Sequence, residues 1–193
     1  MILYYMNILS FLLLLVFLYP FAPLKAKEIP TPTAIQVQRA QELKDYLWVI
    51  GGNKMTSYTE DLTQKPYLLI YYSASWCPPC KAFTPKLMQF YSQFKAKRSL
   101  FEVILVSLDK SEQQMLGYMK SFGMPWPAIY YDKRFSIDFL KQYTPNSIPR
   151  VIVLDSNGFP VLDNDGPNMP DGKITRPELV LEKFGDLLKN TSL

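Results

Sequence analysis

The chain has 193 residues, of which 48% are hydrophobic and 20% are charged, so it can bury one core and is not a disordered or disulfide-dense chain. Its formal net charge is +4, and its basic residues are scattered without a run of four, which argues against nucleic-acid binding. The absence of histidine excludes Ser-His-Asp and Cys-His catalysis and histidine-ligated metals.

The first segment predicts export. Residues 1–24 carry no charged side chain, and residues 8–18 are apolar except for Ser10, as in the hydrophobic region of a secretory signal peptide. Ala26 offers a small residue at a cleavage point. No basic residue precedes the apolar run, so a membrane anchor formed by residues 1–24 remains the alternative. We therefore expect a periplasmic protein, either soluble after cleavage or anchored by this segment.

The exported part divides into two predicted regions. Residues 27–45 are expected to form a linker and an N-terminal helix, and residues 46–193 a single domain. The spacing of apolar residues predicts that this helix covers 34–48. The glycines at 51–52 indicate a turn between two short strands.

The rest of the chain predicts a mixed α/β sheet with helices on both faces. Strands are predicted at 67–72, 101–106, 151–154 and 159–162, and helices at 82–94, 111–122, 135–143 and 176–188. Thr175 and Glu178 have the spacing of a capping box at the start of the last helix. The segment 163–166 (DNDG) is interpreted as a turn, because it lacks the spacing of a calcium loop, and no metal site is predicted.

Both cysteines lie between the strand at 67–72 and the helix that follows it, in Trp76-Cys77-Pro78-Pro79-Cys80. The N-terminus of a helix stabilises a thiolate, so Cys77 is the expected attacking thiol and Cys80, one turn further, the resolving thiol. Two cysteines without histidine do not supply a zinc site, and a structural disulfide across two residues closes too small a loop to add much stability. A redox function is therefore favoured.

These residues carry a family resemblance. The sequence at 73–80 (SASWCPPC), followed by FTPKL at 83–87 and FY at 90–91, resembles the active-site helix of tryparedoxins and nucleoredoxins in the thioredoxin superfamily. MPW at 124–126 and SIP at 147–149 resemble two further segments of the family, the second being the segment that carries its cis-proline. The similarity extends from about Trp48 to Leu162.

The resemblance implies a thioredoxin fold with an additional N-terminal helix. It also implies a cis peptide bond between Ile148 and Pro149, packed against the disulfide and shaping the substrate groove. The same resemblance makes Trp76, Pro78 and Pro79 residues that shape the active site.

The chain departs from the family pattern at several positions. Tyr71 occupies the place of a buried acid found in many thioredoxins, so Asp109 or water becomes the candidate for proton transfer, with a solvated loop aspartate as the alternative. Lys81 and Arg150 are candidates for tuning Cys77 or contacting acidic partners, with solvated surface charges as the alternative. Trp126 is a candidate for a partner groove, with core packing as the alternative.

The sequence thus predicts an exported thiol–disulfide oxidoreductase that acts on protein disulfides as a reductase. A disulfide-donating oxidase and a non-catalytic binding module on the same fold remain the alternatives. No cofactor is expected, because the electrons reside in the Cys77–Cys80 dithiol. The expected partners are protein disulfides and a membrane protein that returns electrons; nucleic acid is not expected.

Overall fold

A computed structural model describes residues 32–52, 54–166 and 176–191, which belong to one compact unit. The predicted export segment and Thr175 of the predicted capping box lie outside the described residues. Within the described ranges, no helix is both long enough and apolar enough to cross a membrane.

The described residues form five α-helices and seven strands. In order they are α1 (Ala34–Lys44), β1 (Leu47–Gly51), β2 (Lys54–Ser57), β3 (Tyr67–Ser73), α2 (Pro78–Gln93), β4 (Phe101–Ser107), α3 (Glu112–Phe122), β5 (Ala128–Ile129), α4 (Asp138–Lys141), β6 (Arg150–Leu154), β7 (Pro160–Asp163) and α5 (Pro177–Asn190), with a 3₁₀ helix at Lys95–Leu100. The strands among them form one mixed sheet in the order β2-β1-β5-β4-β3-β6-β7.

Three chain segments lie together at one end of the central strands of the sheet. Strands β3 and β4 are parallel, with Ser73 opposite Ser107 at their carboxyl ends. Strand β6 runs antiparallel to β3 and begins at that end, where Arg150 pairs with Tyr72. Three segments therefore lie side by side: the one after β3, the one after β4 and the one before β6. Loops at the carboxyl ends of parallel strands are close together in the same way.

Alternating side chains of the central strands build two apolar layers. Leu69 and Tyr71 face a cluster that includes residues of α2, α3 and α5. Leu68 and Ile70 face the opposite cluster, which includes Leu43 of α1 and a residue of α4. The prediction of a mixed sheet with helices on both faces is confirmed.

Several predicted boundaries are wrong. The helix predicted over 34–48 ends at Lys44, because Leu47 and Trp48 pair with the unpredicted strand β5. The helix predicted over 135–143 is the single turn α4, and the active-site helix begins at Pro78 rather than at residue 82.

Candidate active site

The two thiols lie at the N-terminus of α2 and form a disulfide bond. Cys77 is the residue that caps the helix, and the backbone N–H of Cys80 donates to its Sγ over 3.2 Å. Pro78 occupies the first turn, where a backbone donor has no partner within the helix. Cys77 is 4% exposed and Cys80 is fully buried, so Cys77 is the sulfur that a partner reaches first.

Two predicted site residues flank the disulfide. Trp76 is 52% exposed, and its Nε1 donates to the carbonyl oxygen of Leu108 over 3.1 Å. Ile148 packs against the two cysteines, and its carbonyl oxygen lies 3.7 Å from Cys77 Sγ. The Ile148–Pro149 peptide bond is cis, the geometry that the resemblance implies. The site is thus an apolar rim beside Cys77, the more exposed of the two cysteines.

Asp109 supports the loop that precedes the thiols. One carboxylate oxygen accepts from Ser75 N over 2.8 Å and from Ser75 Oγ over 2.6 Å, and the other accepts from Ser107 Oγ over 2.9 Å. The side chain is buried, so the alternative of a solvated loop aspartate is wrong. These bonds fix residue 75 directly before Trp76 and Cys77.

Arg150 is buried rather than displayed on the surface. Its Nε and Nη2 donate to the two carboxylate oxygens of Asp163 over 3.0 and 2.6 Å. Its Nη1 donates to the carbonyl oxygens of Tyr143 and Thr144. The prediction that it contacts acidic partners, and the alternative of a solvated surface charge, are both wrong, because its charge is compensated inside the protein.

Two other predicted residues lie in different surroundings. Lys81 is exposed on the first turn of α2, as the surface-charge alternative expects. Trp126 is fully buried, and its ring packs in a T-shaped arrangement with the ring of Tyr91 at a centroid distance of 5.5 Å. Its proposed place in a partner groove is wrong, because the side chain is fully buried in the apolar core.

A group of buried hydroxyls beneath Cys80 was not predicted. Thr84 Oγ1 donates to the Cys80 carbonyl oxygen over 2.9 Å and lies 2.6 Å from the hydroxyl of Tyr118. The Tyr71 hydroxyl lies 2.9 Å from Thr84 Oγ1 and accepts from Ser73 Oγ over 2.9 Å. Burial raises the pKa of Tyr71 far above its ordinary value, so this hydroxyl stays protonated.

The sequence did carry a weak signal for this group. Ser73 is polar at the end of an apolar strand, and Thr84 follows Cys80 by four residues on the same helix face. Chemically, the site offers a disulfide between a slightly exposed Cys77 and a fully buried Cys80, whose carbonyl oxygen accepts from neutral hydroxyls. In the described part of the chain, no three His, Cys, Asp or Glu side chains come together as a metal-binding group.

Comparison with known proteins shows which family the chain belongs to. A family model described as Thioredoxin-like matches residues 65–159. Probable nucleoredoxin 1 of Arabidopsis thaliana is 34% identical over 146 residues, covering 72% of this chain and 25% of that protein. Tryparedoxin of Trypanosoma brucei brucei is 35% identical over 114 residues, covering 53% of this chain and 77% of that protein.

A solved structure agrees in fold. Tryparedoxin I from Leishmania major superposes with a TM-score of 0.55 at 29% identity, covering 80% of this chain and 98% of that one. The paired thiols at the helix N-terminus, on this sheet, define a dithiol protein of the thioredoxin fold. The chain belongs to the thioredoxin-like family, among the tryparedoxins and nucleoredoxins, a class of thiol–disulfide oxidoreductases. It spans about a quarter of the nucleoredoxin.

Proposed function

We propose that the chain reduces disulfides of other proteins through Cys77 and Cys80. The observation that carries the proposal is the disulfide at the start of α2, with Cys77 4% exposed beside the exposed Trp76 and Cys80 fully buried. This asymmetry gives the two sulfurs different tasks. Only Cys77 Sγ contacts a partner protein. Cys80 Sγ is positioned to attack Cys77 Sγ from inside the protein.

The reaction balances with the two thiols alone. The Cys77 thiolate attacks one sulfur of a partner disulfide; that bond breaks, a mixed disulfide forms, and the other partner sulfur leaves as a thiolate that takes up a proton. Cys80 loses its proton and attacks Cys77 Sγ, which closes the internal disulfide and releases the second partner thiol. The partner gains two electrons and the chain loses two, so the electrons need no bound cofactor.

We further propose that this chemistry takes place outside the cytoplasm, most directly in a periplasm. The support is the uncharged, apolar sequence of residues 1–24 with a small residue at Ala26. Such a compartment is oxidising, so a reductase there requires a reductant, for which we propose a membrane dithiol protein. The mass of the N-terminal peptide from expressed protein tests cleavage, and retention of Met1 would contradict it.

The decisive experiment is a trapping variant. Cys80→Ser retains the attacking thiol and lacks the resolving one, so we expect mixed disulfides through Cys77 to accumulate with partner proteins. Cys77→Ser is the matched control and should trap none. Trapping by the control alone would reverse the roles assigned to the two cysteines.

Reduction of insulin by the wild-type protein in dithiothreitol separates the enzyme from a binding module, because a binding module would not accelerate it. The reduction potential of the Cys77–Cys80 pair distinguishes a reductase from a protein that donates disulfides. A value near about −270 mV supports the reductase, and one near about −120 mV would identify a disulfide donor instead.

A further inference from the structure

Three consecutive residues at the end of β7 contact the segment that lies against the disulfide. We call Asp163, Asn164 and Asp165 the clamp. The first of them holds Arg150 by two hydrogen bonds, and Arg150 in turn binds the carbonyl oxygen of Tyr143 over 2.8 Å. Arg150 and Asp163 are both buried, so this connection is shielded from water.

The other two clamp residues bind the same segment at further points. Asn164 Nδ2 donates to the carbonyl oxygen of Pro149 over 3.0 Å, and Asn164 Oδ1 accepts from Val151 N over 2.6 Å. Asp165 Oδ2 accepts from Asn146 N over 2.7 Å. The segment 143–151 is therefore held at both ends and near its middle.

What the clamp holds is the part of the segment that touches the reactive sulfur. Ile148 packs on Cys77, and its carbonyl oxygen lies 3.7 Å from Cys77 Sγ. We propose that the clamp residues are positioning residues for the thiol site, which keep Ile148 against Cys77 and so control how far that sulfur is exposed. This inference rests on the proposed function only in that Cys77 is the attacking thiol.

Site-resolved alkylation tests the clamp. The reduced protein is pulsed with iodoacetamide, and mass spectrometry reports the modification of Cys77 and Cys80 separately. In Asp165→Ala we expect Cys77 to react about fivefold faster, the change that loss of one ordinary hydrogen bond makes to a local opening, and in Asn164→Ala, which loses two, at least as much faster. Cys80 should keep its wild-type rate, because it is fully buried in α2 and the Ile148 carbonyl oxygen faces the sulfur of Cys77.

Two further variants make the result specific. Asp165→Asn retains an oxygen that accepts from Asn146 N and loses only the ion pair with Arg150 Nη1 at 4.0 Å, so Cys77 should react at close to the wild-type rate. Asp61→Ala removes a carboxylate that accepts from Thr63 N and Thr63 Oγ1 in the loop after β2, and it should leave both cysteines unchanged.

The outcomes separate this inference from the proposed function. A parallel increase at Cys77 and Cys80 would show general loosening and would overturn the clamp, as would wild-type rates in both alanine variants. The alkylation needs no partner disulfide, so failure of the wild-type protein to reduce insulin rejects the proposed function and leaves this measurement intact.

Discussion

The carbonyl oxygen of Cys80 accepts hydrogen bonds from side chains that lie beneath the active-site helix. Thr84 Oγ1 is the nearer donor at 2.9 Å, and the Tyr71 hydroxyl is at 3.3 Å. Both side chains are buried, so water does not replace a lost bond without reorganisation of the core. Cys80 is therefore anchored by neutral hydroxyls, one of which belongs to Tyr71 at the position where many thioredoxins have a buried acid.

Removal of the Thr84 hydroxyl should destabilise the protein more than its size suggests. Thr84→Val is nearly isosteric but leaves the Cys80 carbonyl without its nearest donor and the Tyr118 hydroxyl without its partner at 2.6 Å. We expect a loss of about 2–3 kcal/mol in the free energy of unfolding, measured by urea denaturation of the oxidised protein.

Thr84→Ser is the matched control for this prediction. It keeps the hydroxyl and loses one buried methyl group, which costs about 1 kcal/mol. A loss in the valine variant that is equal to or smaller than the loss in the serine variant would show that the hydroxyl contacts add no stability.

The role of a residue could be predicted from the sequence where it depends on residues nearby in the chain. It could not be predicted where it depends on residues that are distant in the chain. The places of Cys77 and Cys80 follow from a strand, a short motif and a helix that are adjacent in sequence. The environment of Arg150 follows from Asp163, which lies across the β6–β7 hairpin, and Trp126 is buried through contacts such as that with Tyr91. Such pairings become visible only when the strand register is known.

Helices α2 and α5 are joined at the surface by an ion pair. Lys86 Nζ lies 2.7 Å from Glu178 Oε1, and this hydrogen bond lowers the pKa of the glutamate below its ordinary value. The sequence assigned Glu178 to a capping box with Thr175, which lies outside the described residues. Among the described contacts, Glu178 connects two helices, so its contribution to stability should depend on pH.

Glu178→Gln should reveal this dependence. A carboxylate with a lowered pKa in the folded state adds stability above its unfolded value of about 4.3, and the gain is lost as the pH falls through the folded value. Both side chains are about half exposed, so we expect the variant to be less stable by about 0.5 kcal/mol at pH 6, with the difference shrinking as the pH falls below about 4.3.

Glu182→Gln removes a negative charge from the same helix and serves as the control. Urea denaturation of the three proteins between about pH 3 and pH 6 provides the comparison. A difference between wild type and Glu178→Gln that stays constant across this range would reject the ion pair as its cause.

Elements with a strong local pattern were predicted well. Strand β3 is a continuous apolar run up to Ser73, and β4 is apolar apart from Glu102 and Ser107. Such runs favour strands buried on both faces. The end of α1 was placed too late, because the apolar spacing continues through Leu47 and Trp48 although these residues form a strand with β5, about 80 residues away. Helix spacing alone does not report that competing partner.

The N-terminal helix α1 lies outside the range matched by the family model, which begins at residue 65. It nevertheless contacts the central domain at several points. Gln36 Nε2 donates to the carbonyl oxygen of Lys65 over 3.2 Å, and Glu42 Oε1 accepts from Asp138 N over 2.7 Å. Leu43 is fully buried in the apolar layer on this face of the sheet. The helix should therefore unfold together with the sheet.

Leu43→Ala tests whether α1 and the sheet form one cooperative unit. Truncation of a fully buried leucine costs about 2–5 kcal/mol, so we expect one unfolding transition at a lower urea midpoint, observed identically by circular dichroism and by tryptophan fluorescence. Ile35→Ala, on the same helix but 47% exposed, should change stability by no more than about 0.5 kcal/mol. The result would contradict this prediction if helix and sheet unfolded in separate transitions, or if the two substitutions had equal effects. Either outcome would show that the thioredoxin-like domain does not need α1 for its stability.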